Sequence, residues 1–280
     1  MPARDQEAGG HGLAALPFLP AAFCFLLTAC AVTRPTVKIG LAAPFEGRYR
    51  EVGYEVIYAV RLAVREANAA GGVAGYSVEL VSLDDSGEAG MAIEQARKLA
   101  TDPQIVGVVG HWLEATTVAA APEYAAAGLP FLATAAGPDL PDASFRLWPA
   151  SPCPLIIPSG CVNALEDLRL RGADALTLTV PAPLPADSTD PGFADRYRAL
   201  SGGVEPRFNA VLAYDAARLL LEAIARDIGA NGRPGRAGVE TQLARSDYAG
   251  LSGRFRFGPD RAWTEARRWL YRWSDGQLVP

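Results

Sequence analysis

The side chains that enzymes use for nucleophilic or acid–base chemistry are few in this sequence. There are only two histidines, His11 and His111, among 280 residues. Ser159 stands between Pro158 and Gly160 and has no base that the sequence places beside it. The sequence contains no Gly-x-Ser-x-Gly elbow, no phosphate-binding glycine loop with lysine and no Cys-x-x-Cys pair. We therefore expect a protein that is not an enzyme and that uses no metal and no cofactor.

The composition is that of an ordinary globular protein. Half of the residues are apolar and 20% are charged, with a formal net charge of −5. No basic stripe is present, which argues against nucleic acid as a partner. A chain of this length can form one or two domains, each with its own core.

The N-terminal segment reads as a targeting sequence. An apolar run covers residues 13–29 and ends in Leu27-Thr28-Ala29-Cys30, which is similar to the lipobox of bacterial lipoproteins. We expect a signal peptide at 1–29, lipidation of Cys30 and a tether at 30–36. An ordinary signal peptide or an anchor helix is the alternative.

Two further cysteines, Cys153 and Cys161, could be free thiols or form a disulfide bond. Export would permit a bridge between Cys153 and Cys161. If residues 154–158 form an extended strand, however, the two thiols lie too far apart to bond. Both alternatives stand.

The first half of the chain alternates strands with helices. Apolar runs predict strands at 37–42, 76–83, 105–109 and 129–133. Helices are predicted between them, at 52–69, 89–101 and 116–127. This order indicates a parallel sheet with right-handed crossovers, in which ligands bind beyond the carboxyl ends of the strands.

The regular alternation of strands and helices ends near Trp148, where proline becomes frequent. The patterns after this point predict shorter strands, three helices and one surface loop. The predicted strands are 155–157, 175–180, 253–257 and 269–273, the helices are 163–170, 192–200 and 207–228, and the loop is 229–238.

Several stretches in this order resemble the periplasmic-binding-protein type I superfamily, and within it the Leu/Ile/Val-binding-protein-like receptors of ABC transporters. Together they cover nearly all of residues 37–280, although no single motif decides the assignment. The stretches are Val37–Pro44, Ala63–Gly75, Val108–Trp112, Tyr124–Pro130, Ala213–Ala217, Gly250–Phe257, Trp263 and Trp269–Leu278.

The resemblance implies two α/β lobes joined by three crossing segments, with a ligand held between them by hinge closure. Residues 37–147 and 181–265 would form the first lobe, and 148–180 with 266–280 the second. The second lobe is short, since one βαβ unit alone needs about 30 residues. We therefore expect an α/β fold with a parallel sheet, a largely complete first lobe and a strongly truncated second lobe.

The resemblance also implies a binding site. Amino-acid receptors of this family hold the ligand carboxylate with a hydroxyl, backbone amides and a threonine. Glu114 stands at the hydroxyl position with Thr116 nearby, Ala135 matches a backbone contact, Gly137 takes the threonine position and Ser159 takes the position of an acidic residue. The set of residues that usually binds an amino-acid ligand in this family is therefore incomplete here. Glu114 either faces a cationic ligand group or is a solvated residue at a helix N-terminus.

Aromatic side chains could complete this site. Phe45 and Tyr49 lie in the first loop, where relatives contact the ligand. Trp112 either lines the cleft or covers the sheet edge.

Other polar residues near the strand ends are expected to be structural. Asp84 and Asp85 could hold a metal or act as acid and base, but relatives carry a similar acidic pair as a turn element. A lone histidine such as His111 is more often packed or hydrogen-bonded than catalytic. Asn209 and Asp215 are expected to cap helices or lie on the surface.

These features predict a lipid-anchored, extracytoplasmic solute-binding component of an ABC importer. Its partners would be a small polar solute, the permease subunits and the membrane through Cys30. The alternative is a ligand-sensing or protein-interaction module derived from the same fold. A depleted second lobe would expose apolar surface, so we also expect a homo-oligomer or a marginally stable chain.

Overall fold

The computed structural model describes residues 34–135, 140–141, 143–148, 176–275 and 277–279. Several of the predictions above lie outside these ranges. They concern the apolar run at 13–29, Cys30, Gly137, Cys153, Ser159, Cys161, the strand at 155–157 and the helix at 163–170.

A five-stranded parallel sheet forms the centre of the first half. Its strands are β1 (Thr36–Ala43), β2 (Ser77–Asp84), β3 (Ile105–Gly110), β4 (Phe131–Ala133) and β5 (Ser144–Arg146). They lie in the order β2-β1-β3-β4-β5, and every neighbouring pair is parallel. The strand β5 was not predicted, and the other four confirm the prediction from the apolar runs.

Three helices connect these strands, and they too follow the predicted pattern. They are α1 (Arg50–Ala69), α2 (Ala89–Thr101) and α3 (Glu114–Ala126). The i, i+4 apolar residues of α1 are buried, as the spacing required. The helix α3 begins two residues earlier than predicted.

The sheet is covered on both faces, because alternate residues of its strands enter two separate hydrophobic clusters. Ile39 and Leu41 belong to the larger cluster, which includes the inward residues of α1. Ala42 and Val108 belong to a smaller cluster with residues of α2 and α3. A parallel sheet needs such cover on both sides.

The chain then continues through a strand, three helices and a short hairpin. These are β6 (Leu176–Val180), α4 (Phe193–Ser201), α5 (Phe208–Asn231), α6 (Arg236–Ala244), and the hairpin of β7 (Tyr248–Ala249) and β8 (Arg254–Phe255). The helix α5 is almost entirely buried and packs in the larger cluster.

The prediction of a surface loop at 229–238 was wrong. The helix α5 continues to Asn231, and α6 starts at Arg236. The Arg236 guanidinium, half-buried, donates to the carbonyls of Ile105 at 3.0 Å and Asp102 at 2.8 Å, and also to those of Ala100 and Ala127. A glycine- and arginine-rich stretch resembles a loop in sequence, but this arginine has long-range partners that hold the new helix.

The last two strands complete a second, smaller sheet. The strands β9 (Trp269–Ser274) and β10 (Gln277–Val279) lie in the order β10-β9-β6, with antiparallel pairing throughout. One face of this sheet is buried in the larger cluster through Leu178, Tyr271 and Trp273. The three-stranded sheet therefore shares a core with the helices that cover the parallel sheet.

Residues 35–280 form one compact unit. In the part of the chain that the structure describes, no helix is both long enough and apolar enough to cross a bilayer.

Candidate functional site at the carboxyl edge of the parallel sheet

The carboxyl ends of the parallel strands bring four loops to one edge of the sheet. The register pairs Ala43 of β1 with Asp84 of β2, and Gly110 of β3 with Ala133 of β4. The segments that follow these residues are therefore neighbours. Ligand sites of open parallel sheets lie at such edges.

Asp84 ties the first loop to the second. Its Oδ1 accepts from the backbone N–H of Phe45 at 2.7 Å and of Ser86 at 2.9 Å, and its Oδ2 accepts from the Ser86 hydroxyl at 2.7 Å. Burial acts to raise the pKa of this carboxyl group, but the hydrogen bonds from Ser86 and Phe45 outweigh it, and the pKa lies below its ordinary value. Asp84 is thus a turn element.

Its neighbour Asp85 is paired with His111 in a fully buried network. The Asp85 Oδ2 lies 2.6 Å from His111 Nδ1, and His111 Nε2 lies 3.1 Å from the Tyr124 hydroxyl oxygen. All three residues are 0% exposed. Burial, with a smaller contribution from the Asp85 charge, raises the pKa of Tyr124 well above its ordinary value.

The backbone carbonyl of His111 joins two more segments. It accepts hydrogen bonds from the hydroxyls of Thr117 at 3.0 Å and Thr134 at 2.8 Å. His111 therefore connects the loops after β2, β3 and β4 with the start of α3. The expectation of a packed, hydrogen-bonded histidine agrees with this geometry.

Tyr49 lies where the first three loops meet. A Cβ atom added to Gly87 would be 2.9 Å from both the Tyr49 ring and the Leu113 side chain. Gly87 also has a φ of +72°, a region that glycine occupies without strain. The Tyr49 ring, partly exposed, thus packs beside the segment that leads into α3.

Phe45 and Arg48 extend this aromatic surface. The Phe45 ring packs edge-on against Tyr54, with centroids 6.4 Å apart, and Tyr54 is 48% exposed. The Arg48 guanidinium lies over the Tyr49 ring at 5.5 Å. Phe45 and Tyr49 are therefore placed beside the edge and reach solvent, as a contact with a ligand requires.

Glu114 is the first residue of α3 and is exposed. A carboxylate at this place is favourably placed relative to the helix dipole. No described cation lies in ion-pair range of it. The carboxylate points out at the same edge as Tyr49 and could meet a positively charged group.

The remaining candidates are buried. Thr116 is 0% exposed, and its hydroxyl donates to the Leu113 carbonyl at 3.0 Å. Trp112 is also 0% exposed, and its Nε1 has no hydrogen-bond partner among the described residues. Ala135 is 3% exposed. Of the predicted site residues that the structure describes, only Phe45, Tyr49 and Glu114 are accessible.

Two residues expected to cap helices or lie on the surface, Asn209 and Asp215, are both buried. Asp215 accepts from the backbone N–H groups of Leu251 at 2.7 Å and Ser252 at 2.8 Å. No local pattern indicates this loop cap, because its partners lie more than thirty residues away in the chain. Within the described ranges, no group of three His, Cys, Asp or Glu side chains could hold a metal ion.

The fold and the arrangement of these loops can be compared with known proteins. A profile of the periplasmic binding protein family matches residues 36–153, which contain the whole described edge. This part of the chain is similar to the periplasmic binding protein superfamily. The parallel sheet and covering helices are the type I fold of that superfamily.

Curated relatives match over the same region. An amino acid binding protein of Pseudomonas aeruginosa is 33% identical over 93 residues, which is 33% of this chain and 25% of the relative. The Leu/Ile/Val-binding protein homolog 7 of Brucella melitensis is 34% identical over 106 residues, 38% of this chain and 26% of the relative. The matched part thus spans about a quarter of the length of these relatives.

Solved structures show the fold over most of the chain. The branched-chain amino acid transporter substrate-binding protein LivJ of Streptococcus pneumoniae, in complex with isoleucine, superposes with a TM-score of 0.68. It is 19% identical, and the match covers 88% of this chain and 98% of that one. The leucine-binding protein LivK of Thermotoga maritima gives a TM-score of 0.66 at 17% identity, over 87% of this chain and 97% of that one.

Proposed function

We propose that this chain is a solute-binding component of an ABC importer, exported from the cytoplasm and anchored in the membrane by lipid at Cys30. The observation that supports this most is the edge of the parallel sheet. Asp84 and His111 connect the loops into one preorganised surface, and Phe45, Tyr49 and Glu114 remain accessible on it. The relatives are named as amino acid and branched-chain amino acid binding proteins, which agrees with a solute-binding role.

The ligand is proposed to be a small polar molecule. The hydroxyls of Thr116, Thr117 and Thr134 all donate to backbone carbonyls and so are not free to donate to a ligand carboxylate. Among the accessible predicted site residues Phe45, Tyr49 and Glu114, the charged group is the Glu114 carboxylate, while the nearby Arg48 guanidinium lies over the Tyr49 ring. A solute with a cationic or neutral polar group, such as an amine or amide, fits this surface better than an anion.

We propose the same division of the chain into two lobes that the resemblance implied. Residues 37–147 and 181–265 would form the first lobe, and 148–180 with 266–280 a reduced second lobe. The antiparallel pairing of β6 with β9 supports this division, since it joins the two segments assigned to the second lobe.

A ligand screen tests the binding role. The chain from residue 31 onward, which keeps the compact unit 35–280, is melted with amino acids, carboxylates, amines and amides. A ligand at 100 times its Kd should stabilise the fold by about 2.7 kcal/mol and raise Tm by a few degrees. A cooperative melt with no shift for any ligand would favour an interaction module instead.

The Glu114→Gln variant then tests the edge. It should weaken an amine ligand about tenfold or more through loss of the charge. The matched control is Glu79→Gln, an exposed carboxylate on β2, which should leave the affinity unchanged. An equal loss in both variants would remove Glu114 from the site.

Lipid anchoring has its own test. Cys30→Ser in the full chain should release the protein from the membrane fraction, and mass spectrometry should show loss of the acyl groups. Cys24→Ser is the control, because it changes a cysteine in the same apolar run. If both variants stay in the membrane fraction, the anchor is not a lipid on Cys30.

A further inference from the structure

A second pocket lies away from the carboxyl edge. It has a volume of about 680 Å³, is open to solvent on one side, and is lined by the segment after β6, the helix α4, the residues before α5, and the strands β9 and β10. None of the edge loops described above contributes to it. Its size falls within the range of small-molecule sites, about 300–1,000 Å³.

Most of the lining is apolar. Leu184 and Pro191 come from the segment after β6, Ala194 from α4, and Trp273 and Leu278 from the small sheet. The Trp273 side chain is 1% exposed, so the indole forms a wall that is fixed in the core. A molecule that enters this pocket would exchange water for contact with carbon.

The part of the lining that follows β6 is held in place by Tyr271. Its hydroxyl accepts from the Leu184 N–H at 2.9 Å and donates to Asp187 Oδ2 at 2.8 Å. Burial is the main cause that raises the pKa of Tyr271 to about 12, so the phenol remains a donor. These bonds fix the short 3-10 helix Pro185–Asp187 against the small sheet. The pocket is therefore preformed, which lowers the entropy cost of binding.

Both arginines of the pocket lining already form ion pairs with carboxylates. Arg198 contacts Glu205 at 3.0 Å and also the carboxylate of Asp195. One guanidinium thus faces two carboxylates at this part of the rim.

Arg207, on the other side, is arranged in the same way. Its Nε lies 3.3 Å from Glu55 Oε2, and its Nη2 lies 3.6 Å from Glu51 Oε2. Each arginine of the lining therefore meets two acids, and no cation is left in excess for an anionic ligand. These two guanidinium groups meet four carboxylates, so the complementary ligand carries no negative charge. The apolar lining favours an uncharged molecule over a cation, because a cation would lose its hydration there.

We propose that this pocket binds an uncharged, predominantly apolar small molecule with one hydrogen-bonding group. The apolar part packs against Trp273 and the prolines, and the polar group faces the exposed end at Gln277. This site is independent of the solute site at the carboxyl edge, since the two share no residue.

A pair of fluorescent probes tests both the apolarity and the charge preference. N-phenyl-1-naphthylamine is uncharged at neutral pH, and 8-anilinonaphthalene-1-sulfonate has the same rings with a sulfonate. With the chain from residue 31 onward, we expect saturable one-site binding of the neutral probe, with energy transfer from tryptophan. The sulfonate should bind about tenfold more weakly or worse.

Variants locate the binding. Ala194→Phe fills the pocket from α4 and should weaken the neutral probe about tenfold or more. Ala237→Phe places the same ring at an exposed position on α6 and should change nothing. If Ala194→Phe does not melt cooperatively, Ala186→Phe, at an exposed lining residue, replaces it.

Three results would overturn the proposal: no saturable binding of the neutral probe, unchanged binding in a folded pocket-filling variant, or equal affinity for the sulfonate. Neutral-probe binding that persists in Glu114→Gln separates this pocket from the solute site. The two proposals can thus fail independently.

Discussion

At the scale of single residues, the Asp85–His111–Tyr124 network makes unequal contributions that can be measured. His111→Ala leaves the buried Asp85 carboxylate without its imidazole partner, and among the described residues its side chain keeps the bond from the Gly87 N–H at 2.9 Å. We expect a loss of about 4 kcal/mol in the free energy of unfolding.

Tyr124→Phe is the matched control for this network. It removes only the hydroxyl and keeps the ring that packs against Phe131, so the expected loss is about 1 kcal/mol. Urea unfolding of both variants measures the difference. A His111→Ala loss no larger than that of Tyr124→Phe would mean that the histidine is not the centre of the network.

Asp215 gives a dependence on pH with a definite sign. Burial raises its pKa to about 6, although hydrogen bonds from Ser252 and Leu251 act in the opposite direction. Between the unfolded value of about 3.9 and the folded value, the folded state holds a proton that the unfolded state has lost. The stability contribution of Asp215 is therefore fully present below about pH 4 and falls as pH rises to about 6.

Asp215→Asn removes this dependence. The stability advantage of the parent chain over the variant should shrink by about 3 kcal/mol between pH 4 and pH 7, as chemical denaturation at each pH would show. Asp84→Asn is a contrast, because the pKa of Asp84 is lowered and its contribution is instead lost as pH falls. A parent–variant difference for Asp215 that stays constant with pH would show that this carboxyl group does not titrate in the range.

At the scale of elements, Arg236 is the contact that holds α6 to the sheet layer. Its four acceptors include Ala100 in the last turn of α2 and Ala127, which follows α3, where carbonyls lack helical partners. Burial lowers the pKa of this guanidinium. Arg236→Ala should cost about 3 kcal/mol, because several carbonyls lose their donor at once.

Arg236→Lys should recover part of this loss, since an ammonium group cannot reproduce the fork of a guanidinium. Arg233→Ala, at an exposed neighbour, should stay within about 0.5 kcal/mol. Thermal melts of the three variants give the ranking. Equal losses for Arg236→Ala and Arg233→Ala would contradict the proposed contacts.

The sequence predicted the elements that have a strong local period. The first four strands and the three helices between them follow from apolar runs and i, i+4 spacing. The strand β5 has three residues and α6 has only two buried apolar residues, Val239 and Leu243. Elements this short gain their stability from distant partners, which local patterns do not contain.

In the candidate site too, features with a local pattern were predicted and contacts between distant residues were not. The resemblance predicted Phe45, Tyr49 and Glu114 as site residues, and the strand order predicted that their loops lie at this edge. Thr116, also predicted at the site, lies in the first turn of α3 and is buried with Thr117 and Tyr124. The pairing of Asp85 with His111 spans 26 residues and has no local signature.

At the scale of the whole molecule, one small sheet joins the third quarter of the chain, through β6, to the last quarter, through β9 and β10. The strand β6 has β9 as its described partner, and β9 supplies Tyr271 and Trp273 to the shared core at 4% and 1% exposure. The strand β10 pairs only with the outer side of β9 in that sheet. The two C-terminal strands should therefore differ strongly in their effect on stability.

Two truncated chains distinguish the contributions of β9 and β10 to stability. A chain of residues 31–268 lacks β9 and β10 and loses two buried aromatic side chains, each worth about 3–5 kcal/mol. Since the whole stability of a domain is about 5–15 kcal/mol, this chain should show no cooperative melt. A chain of residues 31–276 keeps β9 and should melt cooperatively at a somewhat lower Tm. Circular dichroism against temperature distinguishes them, and a cooperative melt of 31–268 near the parent Tm would mean that the parallel sheet and its helices fold without the small sheet.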